Sequence, residues 1–322
     1  MADDFVIEKT IPPLVVTTTL PLDQNPAAIY LATLRPSGRR SMLHALTVMA
    51  EMAHHGSTAL TLPWHELRYQ HTVAIAMALR EKGYRPATIN RSLAALRGVL
   101  KQAWNLGLMT SEQYHRAINL KGVRSDTLLR GRALKNKELE ALMTACRADK
   151  GNAGKRDIAL IAITYFSGLR RSEVVFLNVA DYDHESGAIT IREGKGGKDR
   201  TTYAGNGVDN LLTEWLAVRG NQPGPLFVSI NKGGKLNLGH RMTAQAVLHI
   251  LAKRGKEAGL QAFSPHDLRR TFISDLLDAG ADIVTVQKLA GHANVTTTAR
   301  YDRRGEATKK KAAALLQIPS IK

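Results

Sequence analysis

Residues 264–292 read SPHDLRRTFISDLLDAGADIVTVQKLAGH. The apolar spacing predicts one helix over His266–Ala279 and a second over Asp282–Ala290. His266 and Arg269 are three apart, so they share one helix face. His292 follows Gly291 directly after the second helix. Arginine grips phosphate oxygens bidentately, and histidine can move a proton near neutral pH. One face of this segment therefore carries the side chains of an anion site with proton-transfer capacity.

Three further features extend the set. Upstream, the predicted helix Asp157–Ser167 runs into Gly168-Leu-Arg170-Arg-Ser-Glu173, where a glycine turn can hold Arg170 rigidly. Between these segments, Ile189 and Ile191 point one way and Thr190 and Arg192 the other. Gly194, Gly196 and Gly197 then surround Lys195, and Thr201–Tyr203 resumes an extended pattern. This predicts a β-hairpin with Lys195 at or beside its turn. Downstream, Tyr301 ends a short predicted helix, Thr296–Tyr301, and tyrosine can attack phosphorus once its proton is removed. Taken singly, each residue has an ordinary explanation. Arg170 could pair with Glu173, His266 could cap a helix, His292 could sit in a turn, and Lys195 could be surface charge. Two Arg, one Lys and two His converging would instead form a strong anion site.

The composition names the anion. The 322 residues carry 45 Lys+Arg against 28 Asp+Glu, a net charge of +17, and both halves are basic. That excess suits a polyanion, and a phosphodiester fits the residues above. With 44% apolar residues the chain can build a sizeable core, and its length suits two domains. A single cysteine, Cys146, excludes an internal disulfide and fits a reducing cytoplasm. No window is apolar for long enough to span a bilayer. Two His 26 residues apart, without a nearby Cys or acidic ligand set, are weak ligands for zinc, so no metal or other cofactor is expected.

The remaining pattern is mostly helical. Residues 1–22 read as an extension. Helices are expected over Pro26–Leu34, Arg39–His54, Leu67–Lys82, Thr88–Leu106 and Ser111–Leu120, which gives a helical N-terminal domain over 23–121. In the clearest of these, Ile89, Leu93, Leu96, Leu100 and Trp104 step by three and four, with Thr88 as N-cap. Residues 122–134 read as a basic linker. The second domain, 135–305, adds helices at Lys137–Arg147 and Thr243–Gly255, and a tail helix falls within 306–322. The fold class is mainly α with a small β-sheet, α+β, in the second domain.

The strings SGLRRSEVVFLNVADYD, REGKGGKDR, SPHDLRRTFISDLLDAGADIVTVQKLAGH and TTTARY together resemble the tyrosine recombinases, or phage integrase family. The helix ATINRSLAALRGVLKQAWNLG resembles the last long helix of that family's N-terminal core-binding domain. Ala290 stands where the family usually has Leu before Gly-His. The resemblance implies a core-binding domain followed by a tyrosine-recombinase catalytic domain. It implies that Tyr301 attacks a DNA phosphodiester to give a 3′-phosphotyrosyl link. Arg170 and Arg269 would clamp the phosphate, His266 would accept the phenol proton, Lys195 would protonate the leaving 5′-oxygen, and His292 would hydrogen-bond the phosphate. Glu173 would orient its neighbours. The implied partners are double-stranded DNA and further copies of the chain, a tetramer on two sites, with accessory proteins open. The tail would dock on a neighbouring protomer. Arg91, Arg97, Lys101, Arg241 and Lys253 are candidate DNA contacts. The same residues also suit a type IB topoisomerase-like nicking–closing enzyme. A non-catalytic DNA-binding regulator would have a broken set. A metal-dependent nuclease would need clustered carboxylates, and the boxes offer only Glu173, Asp199 and Asp267, in different elements.

Overall fold

The computed structural model describes residues 20–124, 131–192, 199–205, 207–302, 304, 305, 310, 313 and 314. Lys195, residues 125–130 of the expected linker, and most of the expected extension and tail helix fall outside the described residues. The chain divides into two compact units, Met1–Leu128 and Leu129–Lys322.

The first unit is helical: α1 Pro26–Thr33, α2 Pro36–Ala53, α3 Tyr69–Glu81, α4 Pro86–Asn105 and α5 Ser111–Ile118. α4 forms the centre because its apolar stripe is longest, and Ile89, Leu93, Leu96, Val99 and Leu100 are buried along it. Trp104 ends that stripe half-exposed, stacked on Tyr114 with ring centroids 5.1 Å apart. α4 begins earlier than expected. Arg85 is the N-cap and Pro86 the first helical residue, so Thr88 lies inside the first turn. Proline's fixed φ is already helical and it has no N–H to leave unpaired, so it competes well for that position.

The second unit holds α6 Asn136–Ala148, α7 Asn152–Phe166, α8 Arg171–Phe176, β1 Ala188–Ile191, β2 Arg200–Tyr203, α9 Val208–Arg219, β3 Val228–Ile230, β4 Leu236–Arg241, α10 Ala244–Glu257, α11 Pro265–Asp278, α12 Ile283–Ala290 and α13 Val295–Ala299. α7 is buried through most of its length. The expected hairpin forms with Ile189 opposite Thr202 and Ile191 opposite Arg200, and both isoleucines are buried. α8, α9 and the second hairpin, β3–β4, are additions to the sequence reading. α9 is fixed by Trp215, whose indole Nε1 donates to Leu226 O at 2.8 Å inside the core. Among the described residues the architecture is mainly helical with two two-stranded antiparallel sheets. Among the described residues no helix is long and apolar enough to cross a membrane.

Candidate active site

The site is assembled on α11, and its start explains its geometry. Ser264 is the N-cap and Pro265 the first helical residue, while Asp267 accepts from Ser264 N and Oγ at 2.9 and 2.8 Å. His266 and Arg269 then share a face, as their spacing requires. Arg269 is 2% exposed. Its Nη1 donates to Gly168 O at 2.6 Å and its Nη2 donates to Ala290 O. One guanidinium thus ties together the glycine turn before α8 and the end of α12. Burial, then the nearby charge of Arg170, pulls its pKa down to about 9.

Arg170 caps α8 and is half-buried. Its Nη2 donates to Gly291 O at 2.8 Å and its Nη1 to Glu173 Oε1 at 2.6 Å. Glu173 is buried and also accepts from Arg170 N at 2.7 Å. Arg200, on β2, completes the group with a bidentate grip on Glu173, 2.9 Å to Oε1 and 2.7 Å to Oε2. Burial alone would raise the Glu173 pKa. The bonds and charge of Arg200, then of Arg170, outweigh it and hold the carboxyl at about 2. Gly291 sits at φ +64°, and a Cβ there would lie 2.8 Å from Arg200 Cδ. Glycine satisfies both the left-handed backbone and the close approach.

Tyr301 is 7% exposed and packs in the small core of Phe272, Ile273, Leu277, Val286 and Ala290. Its hydroxyl lies 3.4 Å from His266 Nε2. The His292 ring stacks near it, centroids 6.2 Å apart at 20°. His292 Nδ1 is 2.9 Å from Thr298 Oγ1. Burial, then Arg269 and Arg170, lowers the His292 pKa to about 4, and the same causes, with Arg270, lower that of His266. Both shifts favour the neutral imidazole. A cleft of about 400 Å³, lined in part by Arg170, Ser172, Pro265, His266 and Arg269, opens beside this group. Two cations facing a cleft, with a neutral imidazole against a phenol, form an arrangement suited to attack on a bound phosphoryl group. Among the described residues no group of His, Cys, Asp and Glu could hold a metal ion.

The sequence model of the Phage integrase family matches residues 132–307, more than half of the chain. The chain belongs to the phage integrase family. It is a tyrosine recombinase, a site-specific DNA breaking-and-rejoining enzyme. It is 30% identical to the tyrosine recombinase slr0733 of Synechocystis over 279 residues, covering 83% of this chain and 86% of that one. It is 32% identical to the tyrosine recombinase XerA of Pyrococcus furiosus over 225 residues, covering 70% and 72%. In fold it is similar to the Tn1549 transposon integrase in complex with transposon right end DNA. The TM-score there is 0.66 at 18% identity, over 90% of this chain and 99% of that one.

The structure thus brings Arg170, Glu173, His266, Arg269, His292 and Tyr301 of this recombinase into one site. Arg200 is the member that sequence reasoning missed. It closes the REGKGGKDR string, but its partner Glu173 lies 27 residues away. The outer cations divide into two groups. Arg91 and Lys101 are exposed on α4, and Lys253 is exposed on α10, 3.8 Å from Glu257. Arg97 instead donates to Ile118 O at 3.4 Å and to Leu120 O. Arg241 donates to Val175 O at 2.7 Å and Asn178 Oδ1 at 2.6 Å, with its guanidinium over the Phe176 ring. Within their own units these two guanidiniums meet carbonyl oxygens and, for Arg241, a ring.

The histidine and carboxylate shifts set the acid stability. A group deprotonated when folded but protonated when unfolded costs stability as pH falls below its unfolded pKa. His292 contributes such a loss from 6.5 down to about 4, and Glu173 adds a second as pH falls from 4.5 toward about 2. Thermal melting should therefore drop steadily below pH 6.5. His292→Asn should flatten the part above pH 4.5. Equal slopes in the two proteins would show that His292 does not carry this loss.

Proposed function

We propose that Tyr301 cuts one DNA strand by attacking a phosphodiester, leaving a 3′-phosphotyrosyl link and a free 5′-hydroxyl, and that the enzyme exchanges strands between two duplexes. The observation that carries this reading is the Tyr301 hydroxyl at 3.4 Å from a neutral His266 beside the arginine-lined cleft. His266 Nε2 accepts the phenol proton, because a phenol of ordinary pKa about 10 is a poor nucleophile until deprotonated. Arg170 and Arg269 stabilise the charge that grows on the non-bridging oxygens. His292 donates to the same phosphate. Lys195 protonates the departing 5′-oxygen. Glu173 and Arg200 hold the clamp in shape. The covalent link conserves the energy of the broken bond, so rejoining needs no external energy source.

Double-stranded DNA is the partner in this reading, met by both units. Arg91, Lys101 and Lys253 supply phosphate contacts, which implies binding that weakens steeply with salt. Four copies act on two sites in the cytoplasm, and residues 306–322 of each dock on a neighbour. The arginine–lysine set supplies the positive charge for the transition state, so the reaction proceeds without a metal.

The test is recovery of DNA covalently bound to purified protein, in buffer with EDTA, followed by sequencing of the 5′-hydroxyl end. The expected result is an adduct at a defined sequence, and joining of strands from two labelled duplexes. No adduct, or cleavage lost in EDTA, would overturn the reading. An adduct with relaxation but no strand exchange would convert it to a nicking–closing enzyme.

A further inference from the structure

Arg269 lines the phosphate cleft, but the next residue on α11, Arg270, reaches the nucleophile's ring. Its guanidinium carbon lies 5.4 Å from the Tyr301 ring centroid. Arg270 is 4% exposed and Tyr301 is 7% exposed. A guanidinium over an aromatic face is held most firmly where water is excluded, because the ring quadrupole then competes with no solvent. Arg270 also lies at ion-pair distance from Asp267, its Nε 3.9 Å from Oδ1. Asp267 is itself fixed by Ser264 through Oδ2 and by Arg132 N, which donates to Oδ1 at 3.0 Å. The carboxylate therefore has little freedom to follow a moving arginine. His266 meets the hydroxyl of the same tyrosine, so its ring and its reacting oxygen are held by different groups.

We propose that Arg270 is a positioning residue for cleavage: paired at longer range with Asp267, its guanidinium holds the Tyr301 ring so that the hydroxyl faces the phosphate cleft. The inference rests on Tyr301 being the nucleophile. Aim matters because a displacement of about 1 Å at the reacting atoms can cost about a hundredfold in rate. The role belongs to steps in which the tyrosine oxygen forms or breaks its bond to phosphorus. A DNA 5′-hydroxyl that displaces a different leaving group from the same phosphate does not need the tyrosine ring aimed.

The experiment compares two single-turnover reactions of the full chain on the duplex recovered by adduct sequencing. One is formation of the covalent adduct. The other uses a Tyr301→Phe background and a strand ending in a 3′-p-nitrophenyl phosphate. There the 5′-hydroxyl oxygen bonds to phosphorus, the bond to the nitrophenyl oxygen breaks, coloured nitrophenolate leaves, and the hydroxyl proton passes to solvent. Arg270→Gln should slow adduct formation about tenfold or more and leave ligation within about twofold. Arg270→Lys, which keeps a cation, should recover adduct formation to within about threefold. Arg269→Ala should lose both reactions. A lysine variant that fails to recover while ligation survives assigns the hold to the planar guanidinium and still supports the proposal. If Arg270→Gln does not fold, Arg270→Met is read in its place. Equal losses in the two reactions, no loss in either, or failure of both variants to fold would overturn it. Failure of the tyrosine assignment looks different: an adduct would then form in Tyr301→Phe with Arg270 intact.

Discussion

Tyr301→Phe should abolish the covalent adduct and leave DNA affinity within about twofold, because only the hydroxyl is removed and the ring keeps its packing. The ring sits among Phe272, Ile273, Leu277 and Val286, contacts that phenylalanine reproduces. The lost bond to His266 is long, 3.4 Å, so the stability cost is about 1 kcal/mol or less. No other tyrosine near these segments is a ready substitute. Tyr165 donates to Asp275 Oδ2 at 2.5 Å, and burial, with that bond and charge, raises its pKa. Tyr182 is buried beside β1, with burial again raising its pKa. Tyr203 is 56% exposed at the end of β2, away from the small core that holds Tyr301. Adduct formation is read on a denaturing gel and affinity by titration at fixed salt. A covalent adduct that persists in the variant sinks the assignment.

The parts of the site that follow helical periodicity were legible in the sequence. His266 and Arg269 share a face because three residues nearly complete a turn, and α11 bears this out over Pro265–Asp278. The first strand pair was legible for the same kind of reason, since Ile189 and Ile191 alternate with polar neighbours. What lay hidden was set by distant partners. Arg200 reads as one more basic residue at a loop's end until folding brings Glu173 against it. Arg97 and Arg241 read as exposed cations on a basic chain, but the carbonyls they meet, at Leu120 and Val175, come from tertiary structure. β4 escaped notice because its alternation is only Leu236 and Leu238 about Asn237, too short a run before Gly239, His240 and Arg241 to mark a strand. α8 is only six residues, too short for a period to show.

Glu173→Ala is the substitution that separates a merely neighbouring carboxylate from the centre of the site. Glu173 accepts four bonds, from Arg170 N, Arg170 Nη1 and both Nη atoms of Arg200. The side chains of Glu173 and Arg200 are 6% and 12% exposed. Removing one member of a buried pair leaves the other charge without its partner, which costs about 3–5 kcal/mol. The cost here falls toward the upper end, because Arg170, Arg200 and Arg269 would then face one another around an empty carboxylate position. Arg170 is also released from the bond that aims it, while its second hold, Gly291 O, remains. Cleavage by the folded fraction should therefore fall about a hundredfold, the usual result of displacing a clamp by about 1 Å. Glu173→Gln keeps the shape and some of the bonds but not the charge, so it should fall between Ala and wild type in both melting temperature and cleavage. Adding Arg200→Met to Glu173→Ala removes one of the stranded charges and should recover part of the stability without restoring cleavage. If Glu173→Ala melts with wild type and cleaves within about threefold of it, the arginines hold their positions without the carboxylate.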